Sequence, residues 1–391
     1  MKKVISTQSK GELSVFERIL HKTDESAFFS LYANDIIYLR KVIIMKLDSK
    51  EGRKSAYNYI GNTYQIGGTR HYRLEDGSSH DCKCIDVRTG SGLEYTVVCD
   101  RGLDISLASY KGVNLVHLTA GMEANPAAVD PWEAEWLRTF SAGLLTTCGP
   151  NHLGNACEDQ GEKLGQHGRW SSLAGRQVAD LTDFEEGNIE IQGRLYEMVT
   201  FGHKIAIRRK ITSEFGKSFI VIEDEIRNEG GSPAPLTMLY HINLGYPFLN
   251  EDATVHIPSK KCVGADEYTI ERMDEAGSVK VPHGSHSEKN YTHTFQDEMV
   301  TAYIHNPKIA GGLAVYVKFD SGALPYMTQW VLENIKDYVV AIEPANVPCE
   351  PRCVLRERGI LPEIGPGEVR RFRVEIGVIE GNEEIAEKFC K

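Results

Sequence analysis

From Tyr64 onward, apolar and polar residues alternate in short runs. YQIGGTRHYRLEDG, CKCIDVRTGSG and LEYTVVCDRGLDISLASYKG are closed by DG, GSG and KG turns, the two-residue period and turn chemistry of antiparallel strands. NIEIQGRLYEMVTFGHKIAIRRKITSEFG and SFIVIEDEIRNEGG continue the pattern, then APLTMLYHINLGYPFL and a last series of strands from Gly311 to Gly377. Segments 149–175 and 264–298 are polar with little periodicity and are expected to be loops. Long ordered loops are uncommon in compact domains unless functional. The N-terminal stretch reads differently. SVFERILHKTDESAFFSLYANDIIYLRKVIIMKL places Val15, Phe16, Ile19 and Leu20, then Phe28, Phe29 and Leu31, at helical spacing, which predicts one or two helices. Asp130-Pro131 is expected to cap a short helix carrying Trp132 and Trp136, and Glu383 to Phe389 to form a final helical turn or two. No repeat of about 20–50 residues is visible, and no Gly/Ser linker divides the chain. The expected architecture is all-β dominated, a large antiparallel sandwich over residues 56–391 with a helical extension over 1–55.

Composition narrows the function classes. The chain has 391 residues, 41% hydrophobic and 25% charged, ordinary for a globular protein. Its formal net charge of -11 argues against a nucleic-acid surface, which needs a basic footprint. Nine dispersed cysteines without a CxxC pair point to reduced thiols and a cytoplasmic setting. MKKVISTQSKGELS has no apolar region behind its lysines, so no signal peptide is expected. The apolar run near Asp35 to Met45 is interrupted by charges and falls short of the ~20 residues of a membrane span.

Four places could carry chemistry. The apolar run Tyr338 to Ile342 ends on Glu343 immediately before Pro344, a buried strand delivering one acid to a rim or cleft. Just before it runs the strand with Tyr326, Gln329 and Trp330. In LYHINLGYPFL, His241 and Asn243 share a strand face; a hydrogen-bonded structural histidine is the competing reading. The loop CGPNHLGNACEDQGEKLGQHGRW sets Asn151, His152, His167 and Arg169 among glycines, where backbone can approach a ligand and a guanidinium can bind hydroxyls or a carboxylate. The spacing of Cys148, His152, Cys157 and His167 matches no familiar zinc pattern. In DRGLDI, Asp100 and Arg101 read first as a surface salt bridge. HGSHSEKNYTH, with His283, His286 and His293, reads as a solvated loop. GxGxxG, Walker, HExxH and GxSxG motifs are all missing, which lowers the odds of a nucleotide enzyme or serine hydrolase.

The order VVCDRGLDIS, FSAGLLTTCGPNHLGN, HGRWSSL, LYHINLGYPFL, TQW and AIEPAN resembles the aldose 1-epimerase-like proteins grouped as a domain of unknown function, within the galactose mutarotase-like superfamily. The resemblance covers roughly residues 60 to 378 and implies a large antiparallel β-supersandwich. By motif position it implies His241 as general acid, Glu343 as general base and His167 against the sugar. An arginine usually binds the sugar too, and Arg138, Arg101 and Arg169 compete for that place; Asn243 and Gln329 are further candidate sugar contacts. The context of the acid histidine and the missing early Asn-Arg motif depart from the usual mutarotase pattern. The implied activity is sugar anomer interconversion, with a small-molecule sugar as partner and no metal or organic cofactor. Two alternatives stay open, a sugar-binding or sensing protein without catalysis and an epimerase acting at another carbon. A homodimer is also left open. The acid and base are expected to face one cleft about a sugar ring apart.

Overall fold

A computed structural model of the chain describes residues 47–129, 132–284 and 288–389. The helices expected between residues 15 and 46 lie outside the described residues. Lys50–Tyr57 forms the first helix among the described residues, N-capped by the Ser49 hydroxyl. It is pinned to the body by buried Arg53, which donates to the carbonyls of Leu47 and Glu185.

Two large antiparallel sheets dominate. The first has eight strands and contains the long hairpin Asn188–Met198 and Lys204–Glu214, followed by Phe219–Asn228. Their strict in–out alternation of Ile with polar residues puts Ile189, Ile191, Ile205, Ile207, Ile211, Ile222 and Ile226 into the core. The second sheet has six strands, labelled here in chain order. They are β1 (Thr146–Cys148), β2 (Leu239–Gly245), β3 (Lys261–Gly264), β4 (Glu288–Thr294), β5 (Tyr326–Glu333) and β6 (Tyr338–Ala345), lying side by side as β3-β4-β5-β6-β2-β1. A five-stranded sheet between residues 68 and 114 adds Val97, Ile105 and their neighbours to the same core.

The six-stranded sheet is buried on both faces. Tyr240, Ile242 and Leu244 of β2, with Val340 and Ile342 of β6, point into the main core. Leu239 and Ala345 point the other way, into a second cluster with Trp136, Phe140, Leu153 and Leu355. Burial on both faces explains why β2 and β6 read as nearly continuous apolar runs.

One expectation fails inside this sheet. Segment 264–298 contains β4, and His293 is buried instead of solvated. The inward residues of β4 are Lys289, Tyr291 and His293, so no hydrophobic alternation marks the strand. Each is satisfied internally: Lys289 by Glu275 and Glu333, the Tyr291 hydroxyl by the Arg272 carbonyl, and His293 by Ser259 and Gln329. The expected loop 149–175 holds a small hairpin, Cys157–Asp159 with Glu162–Leu164, and Trp136 lies on the 3-10 helix Glu133–Arg138. The C-terminal helix spans Asn382–Phe389. The cysteines among the described residues are all free thiols, and no helix among these residues is long and apolar enough to cross a membrane.

Between the sheets lies fully buried Arg209. Its Nε and one terminal nitrogen donate to the two oxygens of Asp224, each at 2.8 Å. The remaining N–H groups reach Asp104 (2.7 Å), the Gly102 carbonyl (3.1 Å) and the Thr147 hydroxyl (2.9 Å). Tyr240 donates its hydroxyl to Asp224 at 2.7 Å, and Trp170 lies against the guanidinium. All five guanidinium hydrogens have an acceptor, the condition under which a buried charge is tolerated. Arg209→Met strands two buried carboxylates, and the expected loss of unfolding free energy is about 3–5 kcal/mol. Urea denaturation followed by tryptophan fluorescence reads this directly, and a loss below about 1 kcal/mol would contradict the role given to the cluster.

Candidate functional site

Antiparallel register puts the chemistry in one place. β2 pairs with β6 so that Leu239 lies opposite Ala345 and Ile242 opposite Ile342, which sets His241 directly across from Glu343. β6 pairs with β5 so that Glu343 also faces Thr328, and Thr328 faces Thr292 of β4. On the other side His241 faces Thr146 of β1. One row of side chains, Thr292, Thr328, Glu343, His241 and Thr146, therefore crosses the sheet on the face away from the main core. The neighbouring row holds Asn290, Trp330, Ala341 and Asn243. Directly opposed side chains lie within contact distance, and His241 Nε2 is 3.3 Å from Glu343 Oε1.

Above this row is a cleft of about 350 Å³, within the ~300–1,000 Å³ typical of small-molecule sites. The sheet supplies its floor with His241, Glu343, Thr328, Trp330 and Asn290. Trp136 and Phe140 form one wall, and Asn155, Gln166 and His167 of the long loop another. Cys349 and Pro351, just beyond β6, close it. The rings of Phe140, Trp330 and His167 surround the His241 imidazole at centroid distances of 5.2, 5.5 and 6.1 Å. Glycine is required where the loop meets its neighbours. At Gly154, φ is +72° and a Cβ would sit 2.8 Å from the Glu350 carbonyl carbon. Beside it, His167 holds φ +57°, with its N–H bonded to the Gly154 carbonyl and its own carbonyl accepting from Gly149.

The electrostatics are those of an enclosed site. Glu343 is 2% exposed and His241 5%. Burial, with Glu288 adding to it, pushes the Glu343 carboxyl well above its ordinary range. Burial also holds His241 well below its ordinary value, aided by His167 and His117. By distance the two could be an ion pair, but desolvation drives both toward neutral and no Lys or Arg among the described residues lines the cleft. A neutral carboxyl beside a neutral imidazole is the form burial favours. Burial lowers His167 to about 4. Four enclosed polar atoms have no partner: His241 Nδ1, Glu343 Oε1, Asn243 Oδ1 and His167 Nδ1. Native structures leave few such atoms unsatisfied, and their clustering marks a place where a polar ligand completes the hydrogen bonding.

The sequence candidates divide sharply. His241, Glu343, His167 and Trp330 share the cleft; the others do not line it. Arg101 is buried and donates to the carbonyls of Ala124, Thr139 and Ser171, pinning the chain that walls the cleft. Arg138 is exposed and paired with Glu135, and Arg169 is exposed over the Trp132 ring. Gln329 sits on the opposite face of β5, bonded to His293 and the Ala276 carbonyl. Asn243 lies beneath the cleft floor, donating to the carbonyls of Gly143 and His241. His152 contacts the Asn155 carbonyl, Asn151 contacts His203, and no three metal-ligating side chains converge among the described residues. Acid and base touch, where a separation of about one ring was expected. Sequence reasoning missed Phe140, Thr328 and Glu288. Glu288 bonds the Trp330 indole N–H at 2.8 Å, and no hydrophobic alternation in EKNYTHT pointed to it. A larger groove of about 870 Å³ lies on the outer face of the eight-stranded sheet. Its aromatic faces are occupied by each other, His256 on Tyr303 and Tyr303 on Phe389, and none of the unpartnered polar atoms lies there.

Residues 79–378 match the family model described as Domain of unknown function (DUF4432). Among solved structures, the chain is similar to a candidate aldose 1-epimerase from Klebsiella pneumoniae at 18% identity and TM-score 0.77, covering 83% of this chain and 88% of that one. A galactose mutarotase-like protein from Clostridium acetobutylicum shares 14% identity at TM-score 0.55, covering 81% and 99%. A galactose 1-epimerase from Lactobacillus acidophilus shares 11% at TM-score 0.54, covering 81% and 100%. No curated protein sequence matches. The fold is therefore galactose mutarotase-like.

Acidification tests the buried histidines. His152, His167 and His293 each sit near 4 because burial disfavours their charged form, against about 6.5 unfolded. Between these values the unfolded chain binds more protons, so stability rises with pH through that window and falls on acidification. The urea midpoint should drop progressively from about pH 7 to about pH 4.5, and His293→Gln should flatten that slope. A midpoint constant over the range would contradict the burial of these rings.

Proposed function

The chain belongs to the family described as Domain of unknown function (DUF4432), and from that premise we propose that it is a carbohydrate isomerase exchanging sugar anomers, with His241 and Glu343 as its acid/base pair. The observation that carries this reading is the cross-strand contact of the two groups on the floor of an enclosed cleft.

The reaction asks for little more. One group removes the proton of the anomeric hydroxyl while another protonates the ring oxygen. The ring then opens, the C1 carbonyl rotates, and reclosure gives the other anomer. Both oxygens are bonded to C1, two bonds apart, so an acid and a base in direct contact suit them better than a pair one ring apart. A proton-sharing dyad returns to its starting state after each cycle, and its chemistry calls for no redox group or metal. General acid–base catalysis of this kind contributes about 10²–10⁴-fold. Trp330, Trp136 and Phe140 offer apolar faces to the C–H side of a sugar ring. Asn155, Gln166, Asn290 and Thr328 offer donors and acceptors to its hydroxyls. His167, with an unpartnered ring nitrogen, stands where it could meet a hydroxyl of the bound ring.

Glu343→Gln removes the carboxyl and keeps its shape. Anomer exchange across a panel of aldoses and uronic acids, followed by saturation-transfer NMR, should fall to the uncatalysed rate in this variant. Unchanged exchange would sink the assignment. Deuterium appearing at carbon in heavy water would replace it with chemistry beyond C1, since mutarotation leaves C–H bonds intact. A sugar that binds the wild type without faster exchange would leave a sensing pocket.

A further inference from the structure

Two carboxylates line the exposed rim of the cleft on its β3–β4 side. Glu288 opens β4, and its carboxylate accepts the Trp330 indole N–H at 2.8 Å. Asp266 follows β3 and caps the short helix Glu267–Ile270, accepting the Thr269 N–H at 2.7 Å. The backbone ties this corner to β4. Ala265 donates to the Asn290 carbonyl at 2.9 Å, and the Asn290 N–H donates to the Thr269 hydroxyl at 3.2 Å. Both acids are thus held in place by neutral N–H groups.

No Lys or Arg among the described residues answers them within the cleft. The guanidiniums of the segments that wall it are engaged elsewhere: Arg138 with Glu135, Arg169 over the Trp132 ring, and Arg352 with Asp159 and Glu162. Inside the cleft the donors are uncharged, the amides of Asn155, Gln166 and Asn290 and the hydroxyls of Thr292 and Thr328. Deeper still, Glu343 is 2% exposed, and its Oε1 has no partner among the described residues. That enclosed, unanswered oxygen points to a polar ligand, and the rim decides what charge the ligand can carry. A phosphate or carboxylate entering here would meet two fixed like charges and no cation, and such juxtaposition is strongly unfavourable. A sugar hydroxyl meets no such barrier, because it can donate to either carboxylate.

We infer that Glu288 and Asp266 are specificity-determining residues that restrict this cleft to sugars bearing no phosphate, sulfonate or carboxylate group. The inference rests on the anomer-exchange reading and narrows its substrate class. Selection is by charge at the rim and is separate from the chemistry at His241 and Glu343. Glu288 has a second part in it. Its bond to the indole N–H fixes the Trp330 ring, which lies edge-on to the His241 imidazole at a centroid distance of 5.5 Å. The carboxylate that repels an anion therefore also orients the aromatic face offered to an uncharged ring. Because both acids are exposed, the repulsion is open to screening by salt.

The test compares D-glucose and D-galactose, each with its 6-phosphate and its uronic acid, on the full chain at pH 7. Anomer exchange above the spontaneous rate is followed by saturation-transfer NMR. For whichever hexose is accelerated, kcat/KM should exceed that of its two anionic derivatives by about 10²-fold. Raising the ionic strength from about 0.01 M to about 1 M should narrow that gap. Glu288→Gln and Asp266→Asn, which keep an oxygen to accept the same N–H groups, should each narrow it about tenfold, chiefly through KM of the anionic sugar. Equal kcat/KM for neutral and anionic sugars overturns the inference from the wild type alone. A gap that neither salt nor either variant alters also overturns it, since shape would then be the cause. Should no sugar exchange faster, binding of the same six compounds separates the two claims. Neutral sugars bound and anionic ones refused would uphold the charge selection and leave the anomer-exchange reading as the part that fails, whereas bound phosphates or uronates would overturn the selection.

Discussion

The rest of the structure depends on the guanidinium of Arg209. It is the fixed point between the sheets, and its five hydrogens are taken by four different parts of the fold. Asp224 belongs to the eight-stranded sheet, Asp104 to the five-stranded one, Thr147 to β1, and Gly102 to the turn beneath Trp170. The Tyr240 hydroxyl closes the cluster from β2. Such a group in a core is intolerable if one partner is missing and neutral to helpful when all are present. The cluster therefore selects one relative placement of the sheets. Because Tyr240 precedes His241, the same network that seats Tyr240 inward turns His241 outward into the cleft.

From that seat the site follows by register. With β2 held, its pairing to β6 brings His241 against Glu343, and the pairing of β6 to β5 adds Thr328 and Trp330. The contact at 3.3 Å is thus a property of the ladder, and needs no flexible loop to assemble it. Rigid strands hold two such groups in a fixed relative geometry. Burial then sets the chemistry, since both groups are pressed toward neutral.

The arginines have another use. Arg101 ties together the backbones at residues 124, 139 and 171, next to the Trp136 and Phe140 wall of the cleft. Arg352 and Arg356 grip Asp159 and so fasten the hairpin of the long loop to the helix Arg352–Glu357 behind β6. Conspicuous guanidiniums near a candidate site thus hold its frame, and the floor is left to uncharged amides, hydroxyls and aromatic rings. A guanidinium with five donors serves well where several carbonyls or carboxylates must be satisfied out of water.

The sequence by itself determined what is local and periodic. Two-residue alternation with DG, GSG and KG turns was enough for the strand-rich class, and His241 and Asn243, two residues apart, had to share a face of their strand. The motif string carried the family and, through it, His241, Glu343 and His167. The tertiary structure decided what depends on pairing between distant segments. That His241 opposes Glu343 is a fact of the register between β2 and β6, about a hundred residues apart. That Gln329 turns away while Thr328 faces the cleft is the parity of β5, where a slip of one residue would have exchanged them. β4 escaped notice because its inward face is built from Lys289, Tyr291 and His293, whose burial is tolerable only with partners supplied by other segments. Asn243 looked like a ligand contact for the same reason: its polarity is legible in sequence, but whether a polar group faces a cleft or bonds backbone beneath it depends on which carbonyls the folded chain brings to it.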